Sequence, residues 1–246
     1  MKTKLGAAFF VIFGLALMPD LVLAGEWGVG SAVAHLEPTQ TGVESKFIGV
    51  PYISYRSERL NIDLGTVSYA LFRSRRILIS MEGEPRFEGY DPKGSSILAG
   101  MEKRKSSFDA GIGMTLGGKR GGMKLLILTD ITGAHEGYEA RAQYQRPYVI
   151  NRLFIAPAVG ISWLDDSLVD YYYGVRSNEA TSNRAHYAGS STTNAFVNLA
   201  MGYVLSPRLE LLGGLKFVRL GKNIENSPIV DKKYVTNIFT ALQYKY

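Results

Sequence analysis

Apolar and polar residues alternate with period two along nearly the whole chain after residue 24. A strand sends successive side chains to opposite faces, so this pattern predicts strands with one apolar and one polar face. The last thirteen residues are the clearest case. Tyr234, Thr236, Ile238, Thr240, Leu242, Tyr244 and Tyr246 share a mostly apolar face with tyrosines at both ends. Val235, Asn237, Phe239, Ala241, Gln243 and Lys245 share a mixed, more polar one. Upstream, Trp27, Val29 and Val33 alternate with Gly28, Gly30, Ala32 and Ala34. Ile77, Ile79 and Met81 oppose Ser80, Glu82 and Glu84. Ile112 and Met114 oppose Asp109, Gly111 and Gly113. Residues 47–56 read as a strand weakened by Pro51, and residues 60–71 as a short strand pair.

The connections alternate in length. Short turns fall near Ser57, at residues 74–76 and 117–122, near Asn151 and at Ser206-Pro207. Residues 38–46, 85–105, 164–191 and 220–233 are longer and polar. Short turns at one end and long loops at the other predict an all-β, antiparallel, up-and-down transmembrane barrel of about 12 strands, or about 10 if the 60–71 pair lies outside it. Tyr138 and Tyr148 share a face with Ala140, Ala142 and Tyr144, opposite Glu139, Arg141, Gln143 and Gln145. At ~3.3 Å per residue and ~40° tilt, these two tyrosines stand roughly 25 Å apart along the membrane normal, the height of an outer-membrane apolar band. A soluble lipocalin-like barrel would turn the same apolar faces inward. The tyrosine spacing and the terminal aromatic favour the membrane form. No soluble-helix pattern of useful length is visible after Ala24, and residues 164–191 read as the longest irregular stretch.

The start of the chain adds a destination. Lys2 and Lys4 precede an apolar run from Leu5 to Met18, followed by Val22-Leu-Ala24. The run is too short to span a bilayer as a helix, which needs ~20 residues. It reads as a signal peptide over residues 1–24, leaving a barrel of residues 25–246. The formal net charge is +6, and about +5 without that segment. The basic residues are dispersed except for Arg73-Ser-Arg-Arg76 and Lys103-Arg-Lys105, which argues against nucleic acid and for anionic surfaces. The chain has no cysteine, so an exported protein of this sequence is held by its ladder and core rather than by disulfides.

The terminal strand resembles that of bacterial outer-membrane proteins, which the barrel-assembly machinery reads through the final aromatic and alternating apolar residues. Leu242, Tyr244 and Tyr246 would carry that signal, with Tyr in place of the usual Phe. Internal motifs narrow the resemblance. Tyr171-Tyr-Tyr-Gly-Val-Arg-Ser-Asn-Glu-Ala180 is similar to the YYYGV-x-x-x-EA signature of the MltA-interacting protein (MipA/OmpV) family. Asn226-Ser-Pro-Ile-Val-Asp231 is similar to its dSPiV segment, with Asn226 where Asp is usual. Gly89-Tyr-Asp-Pro92, Leu98-Ala-Gly-Met-Glu-Lys-Arg104 and Asp130-Ile-Thr-Gly-Ala-His-Glu-Gly137 match its other loop segments in order. The resemblance implies a barrel in the outer membrane, among lipid and lipopolysaccharide. It also implies a scaffold role between a murein transglycosylase and a murein synthase; other members are described as porin-like or as surface antigens. No cofactor is implied.

Candidate chemistry is sparse. The histidines are His35, His135 and His186. His135 and His186 fall in predicted loops, the latter near Ser190 and Ser191, where an outer-membrane acyl hydrolase would place its base and nucleophile. No nucleophile–base–orienter set and no metal-ligand spacing is readable. The polar faces place Asp63, Glu82, Glu84, Asp109, Lys124, Asp130, Glu139, Arg141, Glu210 and Lys216 in the lumen. Such charges either pair and fill a narrow barrel or line water as a solute path. Tyr171, Tyr172 and Tyr173 are either interfacial anchors or part of a folded external loop. The second reading packs them on the barrel mouth, with Arg176 and Glu179 making polar contacts nearby.

Overall fold

A computed structural model describes residues 25–118 and 120–246, Lys46 by its backbone alone. The expected signal peptide lies outside the described residues. Thirteen strands form one antiparallel sheet: β1 (Glu26–Leu36), β2 (Lys46–Arg56), β3 (Leu60–Asp63), β4 (Thr66–Arg73), β5 (Ile77–Arg86), β6 (Ser107–Gly118), β7 (Gly121–Asp130), β8 (Tyr138–Gln145), β9 (Tyr148–Ile150), β10 (Leu153–Leu164), β11 (Thr192–Ser206), β12 (Leu209–Arg219) and β13 (Tyr234–Lys245). Sequence neighbours pair, and β13 returns to β1, with Val29 opposite Tyr244 and His35 opposite Ile238. The Tyr246 N–H donates to the Trp27 carbonyl at 2.9 Å and finishes the seam. β8 and β9 pair successive parts of β10 and share one place in the wall, broken at Arg146-Pro147. The barrel therefore has twelve places, and the short β3–β4 pair is part of the wall.

The faces follow the alternation. Trp27, Val33, Ile112, Ile127, Tyr138, Ile161, Val197 and Ile238 are exposed on the outside, while Ala32, Ala34, Ala156, Ala200, Phe239 and Ala241 are buried inside. A closed sheet that leaves its large apolar groups outside is stable only against lipid. The lipocalin-like alternative, with its apolar face inward, does not fit.

Three prolines mark where the ladder lacks a partner. β2 pairs with β3 only at Ser54, Tyr55 and Arg56, so Pro51 faces a position with no neighbouring strand. β4 pairs with β5 no further than Gly83, which leaves Pro85 unpartnered on that side. Pro157 stands opposite the break between β8 and β9. Proline has no N–H to give, and each sits where none is needed. The first two flank one notch above the β3–β4 turn. That turn has Leu64 and Gly65 at φ 44° and 84°. This is the positive-φ geometry of a two-residue hairpin, unfavourable for leucine. Leu64 is buried against Tyr52, Ala32 and Phe239, and that burial offsets the strain.

Tight turns join the strands at one end of the barrel. At the other end four loops form a lid. Residues 164–191, expected to be irregular, contain helix α1 (Asp166–Tyr173), and helix α2 (Lys222–Glu225) lies in the loop before β13. Asp165 caps α1 by accepting from the Leu168 N–H at 2.9 Å. Leu168, Val169, Tyr172 and Tyr173 fall on one stripe and are buried. The stripe packs on Leu98 and Met101 of the 87–106 loop and on Ile224, Ile229 and Val230 of the 220–233 loop. Residues 37–45 join through Thr41, whose N–H donates to the Ile229 carbonyl at 2.8 Å. The lid is thus a small water-soluble core built on the mouth of the barrel.

Candidate functional site

The lid-side half of the lumen holds an ion-paired belt. Its hub is Arg86, which a reading of residues 85–105 as loop had left out; β5 runs through Pro85 and turns Arg86 inward. Arg86 donates through Nε to Asp109 at 2.7 Å and through its terminal nitrogens to Glu139 and to Glu88, the latter at 3.2 Å. Arg141 bridges Glu84 at 2.7 Å and Glu139 at 2.8 Å. Lys124 holds Glu82 at 2.9 Å, and the Ser80 hydroxyl donates to the same carboxylate at 2.6 Å. Lys216 lies 5.3 Å over the Phe196 ring. Arg86, Asp109 and Glu139 are each at most 5% exposed, while Arg141, Glu84, Lys124 and Glu82 keep somewhat more open surface. Leu126 and Leu128 fill space beside them.

Glu210 and Asp63 lie apart from this belt, and Asp130 flanks it beside Asp109. Glu210 is nearer the tight turns, bound by Lys245 at 2.6 Å and Gln243 at 2.8 Å. Asp63 accepts from the Tyr52 hydroxyl at 2.9 Å. Asp130 sits at the end of β7 and organises the 131–137 loop: its two oxygens accept from the backbone N–H groups of Thr132, Ala134, His135 and Glu136.

The histidines resolve differently from one another. His135 is buried beneath Tyr172, ring centroids 5.7 Å apart. Its Nδ1 accepts from the Gly137 N–H at 3.0 Å, which leaves Nε2–H to donate to Asp109 at 3.1 Å. Ser107 donates to the same Asp109 oxygen at 2.7 Å. The carboxylate therefore stands between serine and histidine, the wrong order for a base that must take a serine proton. Asp109, Asp130 and His135 lie close enough to hold a cation. Their oxygens and Nδ1 are already used by Ser107, Arg86, Thr132 and backbone N–H groups. The cluster reads as the knot that ties the lid to the belt. His35 faces outward, 5.0 Å from the Phe47 ring, and His186 lies on the lid.

In the lid, Tyr172 and Tyr173 are buried and Tyr171 is half-buried. The Tyr171 and Tyr172 hydroxyls bond the backbone N–H and the carbonyl of Lys105 at 2.9 and 3.2 Å. Glu179 accepts from Arg104 at 2.9 Å, from the Glu102 N–H at 2.9 Å and from the Arg176 N–H at 3.1 Å; the Arg176 guanidinium pairs with Glu102. Burial works to raise the Glu179 carboxyl, but these donors overcome it and hold the group below its usual range. Arg184 seals the same loops by donating to the carbonyls of Ile97, Ala99 and Glu179.

Below the belt a cavity of about 130 Å³ opens at the tight-turn end. Tyr52 and Asp63 line it deep in the lumen, Phe154 and Leu212 its walls, and Arg56 and Arg152 its mouth.

The family model described as MltA-interacting protein MipA matches residues 28–246. The chain belongs to the MipA family. Among MipA-family relatives, it is 23% identical over 238 residues to the putative outer membrane protein YiaT of Escherichia coli K12, covering 96% of each chain. It is 22% identical to the MltA-interacting protein of the same strain, covering 90% of this chain and 91% of that one. It is 27% identical to Omp26La of Vibrio anguillarum, covering 72% and 70%. Among solved structures, an outer-membrane channel of Pseudomonas putida F1 superposes with a TM-score of 0.48 at 8% identity, covering 92% of this chain and 97% of that one. This MipA-family chain is an outer-membrane β-barrel. Its tight turns accordingly face the periplasm and its lid faces outward.

Proposed function

We propose that this protein is a non-catalytic, non-conducting barrel that holds murein-remodelling enzymes at the periplasmic face of the outer membrane. The observation that carries this reading is the division of the lumen. An ion-paired belt, buried at Arg86, Asp109 and Glu139, and an external lid occupy the upper part, and a cavity lined by Tyr52, Asp63 and Arg152 lies toward the periplasmic turns. Burying charges is costly unless they are paired and hydrogen-bonded, and a belt of this kind stabilises a plug better than a solute path. The family name points to one partner class, a murein transglycosylase, and the motif resemblance adds a murein synthase as its counterpart. The test is capture from mild-detergent extracts after light crosslinking, with the folded barrel as bait. Recovery of murein enzymes supports the scaffold. Their absence, together with steady ion flow through the barrel in planar bilayers, would replace it by a narrow channel.

A further inference from the structure

The two ends of the barrel treat their arginines differently. On the external side Arg104, Arg176 and Arg219 are spent on structure, paired with Glu179, Glu102 and Glu225, and Arg184 donates to lid carbonyls; the exposed external cations without an ion pair among the described residues, Lys93, Lys105 and Lys222, are lysines. On the periplasmic rim, Arg73, Arg75, Arg76, Arg120 and Arg152 are exposed, and among the described residues none has an ion-pair partner. Acidic side chains do not balance them. Glu58 is exposed, while Glu26 and Glu210 are both held by Lys245, at 2.9 and 2.6 Å.

Two more arginines show where this rim sits. Arg146 lies 5.1 Å over the ring of Tyr148, and Arg208 donates to the Tyr244 hydroxyl at 3.1 Å. Both tyrosines are exposed on the lipid-facing side. Aromatic rings of this kind mark the level where hydrocarbon meets headgroups. The periplasmic turns are short, so the unpaired guanidinium groups lie within a side-chain length of the last strand residues, at that same depth. A murein strand or a protein partner would have to approach this depth between lipids; a phospholipid phosphate is already there. Guanidinium binds phosphate through paired N–H donors.

We propose that the periplasmic rim is a binding ring for anionic phospholipid headgroups of the inner leaflet, of the phosphatidylglycerol type. The ring holds the barrel at fixed depth and surrounds it with anionic lipid. This inference does not depend on the scaffold reading.

The test uses the folded barrel in neutral detergent at low salt. Added phosphatidylglycerol raises its melting temperature by several degrees, and phosphatidylcholine does not. The shift disappears at ~0.5 M salt, where the Debye length is only about 4 Å. A variant carrying Arg73→Ser, Arg75→Ser, Arg76→Ser and Arg120→Ser loses most of the shift, and the matching lysine variant, which keeps the charge without the paired donors, keeps only part of it. An equal shift with phosphatidylcholine, or a full shift in the serine variant, overturns the proposal. A shift from poly-glutamate as large as that from phosphatidylglycerol also overturns it, assigning the rim to an acidic protein instead. If the fourfold variant does not refold, Arg152→Ser and the salt titration of the unaltered chain decide in the same way.

Discussion

Arg104 and Glu179 lie 2.9 Å apart, each side chain 1% exposed, and join two external loops 75 residues apart in the chain. Glu179 is held charged by this contact and by two backbone donors. A group with a depressed folded-state pKa contributes stability above its unfolded value, here an ordinary 4.5, and that stability is lost as pH falls through the folded value. The lid should therefore stay closed at neutral pH and become progressively more open to protease as pH falls below about 4.5. Limited proteolysis of the folded barrel across pH measures this. Glu179→Gln leaves Arg104 buried without its counter-charge, at a cost of about 3–5 kcal/mol, so cleavage should rise at pH 7 and lose most of its pH dependence.

Tyr172 and Tyr173 are 0% and 3% exposed in the lid core. Replacing both with Ser removes two large buried side chains, about 3–5 kcal/mol each by the cost of aromatic truncation. Protease nicking within residues 164–191 should increase many-fold. The barrel should still show its folded, heat-modifiable band on gels, because the wall does not depend on the lid. Equal nicking of both proteins would mean that the tyrosines do not hold the loop.

Arg86 is in ion-pair contact with Asp109, Glu139 and Glu88 at once. Arg86→Ala should lower barrel stability by about 3–5 kcal/mol, read from denaturant unfolding, since it strands buried carboxylates. Combined with Arg141→Ala it should also admit water and cations. The double variant is expected to conduct in planar bilayers under conditions where the unaltered chain is silent.

At the seam, Tyr246 bonds the backbone of Trp27, and its ring lies 5.2 Å from that of Tyr244. Tyr246→Phe keeps the aromatic end and should assemble normally. Removal of Tyr246 should slow membrane insertion, measured as accumulation of unfolded barrel in pulse-chase. Leu242→Asp, which puts a charge on the lipid face, should be more damaging still.

Strand faces were legible because lipid and lumen impose opposite polarity on alternate residues, and period two survives even in strands as short as β3. The limits lay where that rule lapses. α1 is eight residues long, too short for a helical period to stand out from a tyrosine-rich loop. Its cap at Asp165 and the Leu168, Val169, Tyr172, Tyr173 stripe were the available signals. Arg86 was hidden by Pro85, which reads as the end of a strand unless the neighbouring strand is known to stop early. Tyr138 to Ile150 reads as one strand, and the Arg146-Pro147 break is explained only by the β10 register. The contacts among loops, such as Arg104 with Glu179, join residues whose separation carries no periodic mark.

The lid core draws on four loops from different hairpins, and each supplies part of the packing for the others. What a bacterium presents outside at this barrel is consequently one composite relief rather than four independent ribbons. Antibodies raised against any single loop peptide should recognise the intact cell poorly.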